Sequence, residues 1–145
     1  KFDNILCVLR PTLIYGKGDT HNGYGPNRFI NLALKNKPIS IFGGGEERRD
    51  HIYIDYLVEI VIKCIQKRAI GTLNLATGQI YSFKYLARLI INLTKSKSQI
   101  IKIKRVGKMP HNGYRPFNIH LLKKHFQEIK IFSIKNNIKK YLEKY

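Results

Sequence analysis

Pro38 to Ile65 reads PISIFGGGEERRDHIYIDYLVEIVIKCI, and this stretch decides the fold class. A short apolar strand, Ile39 to Phe42, runs into the glycines Gly43, Gly44 and Gly45, which tolerate the backbone conformations that a tight turn or a close approach to a ligand demands. Arg48 and Arg49 follow. A planar guanidinium grips a phosphate or carboxylate through two parallel hydrogen bonds, so an arginine beside such a turn is a candidate anion clamp, with solvated surface charge as the alternative. His51 to Ile54 reads as a second short strand and Asp55 as the cap of the next helix. Leu57, Ile60, Val61, Cys64 and Ile65 fall at i, i+3, i+4, i+7 and i+8, which is one helical face.

The same alternation extends in both directions. Upstream, Ile5 to Ile14 is a continuous apolar run, the pattern of a strand covered on both faces in a parallel sheet, ended by Pro11. Tyr15 to Asn27 is a loop by composition, and Arg28 to Asn36 a helix ended by Pro38. Downstream, Gly71 to Thr77 is a further strand closed by Gly78. Ser82 caps a helix carrying Leu86, Leu89, Ile90 and Leu93. Ile100 to Val106 alternates like a half-exposed strand. Gly107 to Asn118 is a loop, a short helix runs through Leu121 and Leu122 to Phe126, and Ser133 caps a final helix with Ile134, Ile138, Tyr141 and Leu142 on one face. Strands alternating with helices define an α/β fold.

Composition narrows the function classes. The chain has 145 residues and is 43% hydrophobic, enough for one domain with its own core. No apolar run reaches the ~20 residues that cross a bilayer, and Lys1-Phe2-Asp3-Asn4 does not open a signal peptide, so a cytoplasmic location is expected. A first residue Lys1 instead of methionine fits a fragment. Cys7 and Cys64 sit in apolar segments and read as buried reduced thiols. The net charge is +18, with 14 Lys or Arg against 2 acids from Lys95 to Tyr145 and 13 against 7 before it. Such basicity suits a polyanion partner, yet lysine outnumbers arginine 19 to 8, a bias that nucleotide composition alone can produce. Nucleic-acid binding is therefore the minor reading.

Several chemistries lack their residues. His120 and His125 are five apart and no His or Cys pair has ligand spacing, so no metal site is expected. There is no G-x-S-x-G elbow, no G-x-G-x-x-G and no P-loop. None of the nine tyrosines is followed four residues later by lysine, and Tyr81-Ser82-Phe83-Lys84-Tyr85 comes nearest.

The blocks Leu9-Arg10-Pro11-Thr12-Leu13-Ile14-Tyr15-Gly16, Pro38-Ile39-Ser40-Ile41-Phe42-Gly43 and Arg49-Asp50-His51-Ile52-Tyr53-Ile54-Asp55, with Gly71 to Gly78, Ser82, Leu86-Ala87 and Arg115, resemble the carboxyl-terminal half of the extended short-chain dehydrogenases, the NAD-dependent nucleotide-sugar epimerases and dehydratases. The resemblance implies the last strands of a Rossmann-type parallel sheet plus a small α/β substrate-binding lobe. Residues 1–17 and 66–95 would be the remnant of the NAD-binding domain, and 18–65 and 96–145 the nucleotide-sugar lobe. It implies that Pro11, Thr12 and Leu13 border the nicotinamide of NAD and that Arg49 contacts the diphosphate. Arg115 would approach the same diphosphate or the ribose, and Arg28 belongs to the same substrate-binding set. Phe42 would lie near the base, with a core position as its alternative. Departures from the family pattern are Leu13 for a polar residue, Gly44 for an acidic or amide residue, His51 for an aromatic and Tyr56 for a second acid.

No catalytic residue is expected in this chain, since the glycine fingerprint and the Tyr-Lys pair would belong to an amino-terminal half. The expected partners are a nucleotide-diphosphate sugar, a separate amino-terminal half, and a second copy in a homodimer of the intact enzyme. A basic polyanion-binding module and a non-functional remnant of a split gene are the alternative functions.

Overall fold

The computed structural model describes residues 6–144. Its strands are β1 (Cys7–Pro11), β2 (Leu13–Tyr15), β3 (Ile39–Phe42), β4 (Arg48–Tyr53), β5 (Gly71–Leu75), β6 (Ile80–Ser82), β7 (Ile100–Ile103) and β8 (Tyr114–Arg115). Its helices are α1 (Pro26–Leu34), α2 (Ile54–Gln66), α3 (Phe83–Thr94), α4 (His120–His125) and α5 (Ile134–Leu142), with a 3-10 turn at Pro110–Gly113. The α/β class holds. Parallel pairs dominate: β1 with β5, β2 with β4, and β3 with β7.

Strand β4 is the axis of the molecule. Parallel β2 and β8 and antiparallel β6 all pair with it. Its side chains alternate between two cores, as a strand's two faces require. Tyr53 joins the core built by Phe29 and Ile30 of α1, Ile39 and Ile41 of β3, Leu86 and Ile90 of α3 and Ile138 of α5. Ile52 joins the core built by Ile60 of α2, Leu73 and Leu75 of β5, Leu122 of α4 and Phe126. Every one of these side chains is almost wholly buried.

Five expectations change. The apolar run before Tyr15 is two strands in different sheets, and Ile5 lies outside the described residues. Thr12 makes the switch: its amide donates to the Leu75 carbonyl at 3.0 Å, on the β5 side, while its hydroxyl donates to the Asp50 carbonyl at 2.9 Å, on the β4 side. The first strand is also not covered on both faces, since Leu6 is 68% and Val8 42% exposed. The second strand of the opening stretch begins at Arg48 and not at His51, because β6 and β8 supply backbone partners to Arg48 and Arg49.

Asp55 does not cap α2. The cap is Tyr53, without a side-chain bond, and Asp55 lies in the first turn, where it pairs with Lys144 at 2.8 Å and Lys140 at 3.2 Å of α5 and its flank. Ile65 is 72% exposed, so the buried stripe of α2 is Tyr56, Ile60 and Cys64. Ser82 and Ser133 do cap their helices, accepting from the amides of Tyr85 at 3.1 Å and Asn136 at 3.3 Å. Cys64 is buried beside Cys7, and both are free thiols; burial and the neighbouring thiol push Cys64 up to about 11.

Candidate functional site

The candidate residues sit where β4 leaves the glycine turn. Gly43 and Gly45 have φ of 58° and 72°, and a Cβ on Gly45 would lie 2.7 Å from Ile41 Cδ1. The turn is bound to its own chain: the Gly43 amide donates to the Ile103 carbonyl at 2.8 Å and the Gly45 amide to the Phe42 carbonyl at 3.0 Å. These glycines shape a corner between β3 and β4.

Beyond that corner, Glu47 and Arg49 point to the same side of β4 and are both buried. Arg49 Nη2 donates to Glu47 Oε1 and to the Pro110 carbonyl at 2.9 Å, while Nη1 donates to the Arg48 carbonyl at 2.8 Å. Glu47 Oε2 accepts from Arg105 Nη2 at 2.8 Å. One buried carboxylate thus holds two guanidiniums. Removing it would leave both cations uncompensated in a poorly solvated site. Arg105 Nε is buried and has no hydrogen-bond partner among the described residues, and its guanidinium lies 5.8 Å from the centre of the Phe42 ring. Phe42 packs on Tyr24 at 5.0 Å and its amide donates to the Tyr24 hydroxyl at 3.2 Å.

Arg115 is brought to the same strand. In the β4–β8 pair its Cα partner is Arg49, so two residues 66 positions apart become neighbours through two residues of strand. Arg115 is exposed and stacks over Phe117 at 5.3 Å. Arg49 and Arg105 share Glu47, and Arg115 joins them through its register with Arg49, so positive charge is in excess at this strand end. Arg28 is exposed on α1 and makes none of these contacts.

Asp50, on the opposite face of β4, anchors the turn after β5. Its carboxylate accepts from the Thr77 amide at 3.1 Å, the Thr77 hydroxyl at 2.9 Å and the Gly78 amide at 2.7 Å. Desolvation raises its pKa even though each of these bonds pulls the other way. The acid is structural: it ties β4 to the end of β5.

A cavity of about 450 Å³ opens beside the arginine cluster's strand, lined by Leu13 to Asp19, Gly23 to Asn27, His51 and Ile54 among others. Pro11 and Leu13 are exposed at the carboxyl end of β1 and the start of β2, and Leu13 forms part of this wall. Thr12 is held by Asp50 and Leu75 as described. His51 lies in the cavity floor with its ring edge-on to Phe83 at 5.6 Å. The Arg49 carbonyl favours its protonated form, but burial dominates and pushes the imidazole down to about 3.

The sequence did not single out Glu47, Arg105 or Tyr24 as site residues. Glu47 two positions before Arg49 carries a same-face signal once the strand is known to start at Arg48. Arg105 had none, because its partners come from 58 residues away in sequence.

The chain matches the model of the NAD dependent epimerase/dehydratase family over residues 2–76. It belongs to that family. It is 35% identical over 90 residues to dTDP-D-glucose 4,6-dehydratase of Dictyostelium discoideum, covering 61% of this chain and 20% of that protein. It is 32% identical over 120 residues to UDP-glucuronate 4-epimerase of Thermodesulfobacterium geofontis, covering 78% of this chain and 31% of that protein. The fold is similar to that of UDP-glucose 4-epimerase of Thermotoga maritima, solved with UDP-glucose (TM-score 0.79, 21% identity, 94% of this chain and 44% of that one). It is also similar to that of dTDP-glucose 4,6-dehydratase of Bacillus anthracis, solved with NAD (TM-score 0.80, 16% identity, 94% and 43%). The chain therefore spans less than half the length of these relatives. No helix among the described residues is long and apolar enough to cross a membrane.

Proposed function

We propose that this chain is the substrate-binding portion of an NAD-dependent nucleotide-sugar epimerase or dehydratase and holds the diphosphate end of the nucleotide sugar. The observation that carries the reading is the Arg49–Arg115 register pair on β4 and β8, with Arg105 sharing Glu47. Arginines drawn from separate segments to one strand end, beside Phe42, suit a ligand with two phosphates and a flat base. Arg115 is exposed and able to meet the ligand first. Arg49 would exchange its bond to the Pro110 carbonyl for a phosphate oxygen, while Glu47 keeps the two buried guanidiniums from repelling each other.

The residues present fit one edge of an NAD molecule. Pro11, at the carboxyl end of the parallel strand β1, and Leu13, two residues on, are exposed apolar side chains near the place where open α/β sheets receive ligands. NAD, when bound, supplies hydride acceptance and return at a sugar carbon. What this chain contributes is orientation: binding energy at the remote diphosphate positions the reacting carbon and so raises the rate without touching it. Residues 1–17 and 66–95 would belong to the cofactor domain and 18–65 and 96–145 to the lobe.

The glycine fingerprint and the Tyr-Lys pair would come from a separate complementary segment placed on the open edge of β1. Two features support this partner. The β1–β5 sheet has only two strands among the described residues, with Leu6 and Val8 exposed. The relatives, in turn, contain more than twice this length of chain. Calorimetric titration with UDP-, dTDP- and GDP-glucose tests the reading. Binding of at least one is expected, and Arg49→Ala should abolish it. Absence of binding to all three, or unchanged binding by Arg49→Ala, would overturn it.

A further inference from the structure

His51 is a buried polar side chain that the fold itself does not use. It is 3% exposed, and neither Nδ1 nor Nε2 makes a hydrogen bond of good geometry among the described residues, although the Arg49 carbonyl acts on the ring. Beside the Arg49 backbone, its ring meets apolar neighbours: Phe83 stands edge-on at 5.6 Å, and Gly25 brings its Cα side close, since a Cβ there would sit 3.9 Å from Nε2. A buried polar group without a partner opposes folding. A phenylalanine would fill the same space without that cost, so the imidazole calls for a partner that the described residues do not supply at full strength. The ring lines the cavity of about 450 Å³, a volume within the ordinary range of small-molecule sites.

We propose that His51 determines substrate specificity by hydrogen-bonding a hydroxyl of the sugar ring held in this cavity. The inference rests on the nucleotide-sugar reading above and names the residue that reads the sugar.

Position and chemistry agree on this. Arg49 and His51 are two residues apart on the same face of β4, hence about 7 Å apart along the strand. A ligand with its diphosphate at Arg49 is therefore within reach of His51 through the group on one side of that diphosphate, and we take that group to be the sugar. Burial keeps the imidazole neutral, leaving one ring nitrogen a donor and the other an acceptor. A hydroxyl is likewise both donor and acceptor and can bond either nitrogen, whichever tautomer is present. The two charged chains of the cavity wall are engaged within the protein: Asp19 accepts from the Asn27 side chain and the His21 amide, and Lys17 Nζ donates to the Lys144 carbonyl at 2.8 Å. A neutral hydroxylated ring is the group this setting fits.

The test compares each nucleoside diphosphate with its glucose conjugate. The intact chain and the variants His51→Phe and His51→Gln are titrated calorimetrically with UDP, dTDP and GDP and with UDP-, dTDP- and GDP-glucose. For the pair that binds, His51→Phe is expected to weaken the glucose conjugate by roughly 3- to 10-fold, the scale of one hydrogen bond, and to leave the free diphosphate unchanged. His51→Gln should retain part of the gain. In the unmodified chain the ¹⁵N resonances of the His51 ring should move with the conjugate and stay still with the diphosphate, which reads the contact without relying on a variant that folds. Equal weakening of conjugate and diphosphate, or ring resonances that ignore the sugar, would overturn the inference while leaving the nucleotide-sugar reading standing. Failure of every diphosphate and conjugate to bind the unmodified chain would remove both.

Discussion

His51 shows what a single residue contributes when it is placed for a ligand and not for the fold. Its ring is buried without a hydrogen bond of good geometry among the described residues, so His51→Phe should stabilise the chain by about 1 kcal/mol in urea unfolding at pH 7, by removing a poorly satisfied polar group. The pH dependence has a definite sign. Folded His51 protonates only near about 3, whereas in the unfolded chain it protonates near 6.5. Between these values the unfolded state holds more protons, so stability falls as pH drops below 6.5, by up to about 1.4 kcal/mol per pH unit. Asp50, whose pKa is raised by burial, acts in the opposite direction at more acid pH, and comparing the two proteins at each pH cancels it. His51→Phe should remove this slope; equal slopes in both proteins would show that the ring is solvated. Arg49 was legible in the sequence as an arginine beside a glycine turn. The burial of His51 was not, because its Phe83 and Gly25 neighbours are contributed by other elements.

Elements with their own internal signal were readable, and those defined by pairing were not. Helix α3, with Ser82 at its cap and Leu86, Ile90 and their neighbours at helical spacing, needs nothing beyond its own residues, and the same holds for α5 behind Ser133. Strands β6 and β8, with three and two residues, have no periodicity to read and are defined by their bonds to β4. The break between β1 and β2 was also hidden, since an apolar run looks the same whether it stays in one sheet or changes sheet at Thr12. The glycine corner between β3 and β4 carries its own prediction. Gly45 has φ of 72°, and a Cβ would approach Ile41 Cδ1 to 2.7 Å and the Lys84 amide nitrogen to 3.0 Å. Gly45→Ala should therefore cost about 1–3 kcal/mol in equilibrium unfolding, through positive-φ strain together with the clash. A cost within experimental error would show that the corner relaxes freely and does not fix the start of β4.

At the scale of the whole molecule, the open edge of β1 and the outer face of α2 are apolar. Leu6 and Val8 on one, and Val58, Ile62 and Ile65 on the other, are exposed. Parallel strands are ordinarily covered on both faces, and a two-stranded sheet is marginal by itself. Co-expression with the NAD-binding segment of a family member should yield a co-purifying complex in which the β1 amides gain protection from hydrogen exchange. Unchanged protection at Cys7 to Leu9 in such a mixture would contradict the assignment of this edge to a complementary segment. The family and the α/β class were legible in the sequence because the blocks around Pro11 and Arg49 lie in contiguous segments. The convergence of Arg49, Arg105 and Arg115 was only partly so, because Arg105 reaches Glu47 from 58 residues away.

A directed diphosphate clamp and diffuse basicity make different predictions in a chain whose net charge is +18. The most direct measurement compares Arg115→Ala with Lys124→Ala, an exposed charge on α4, by calorimetric titration with UDP-, dTDP- and GDP-glucose at physiological salt. The two variants lose the same charge. Arg115→Ala is predicted to weaken the sugar nucleotide that binds by roughly 10-fold or more, the scale of a charge-assisted hydrogen bond to phosphate, and Lys124→Ala to leave it unchanged. Equal weakening in the two variants, or none in Arg115→Ala, would contradict the clamp.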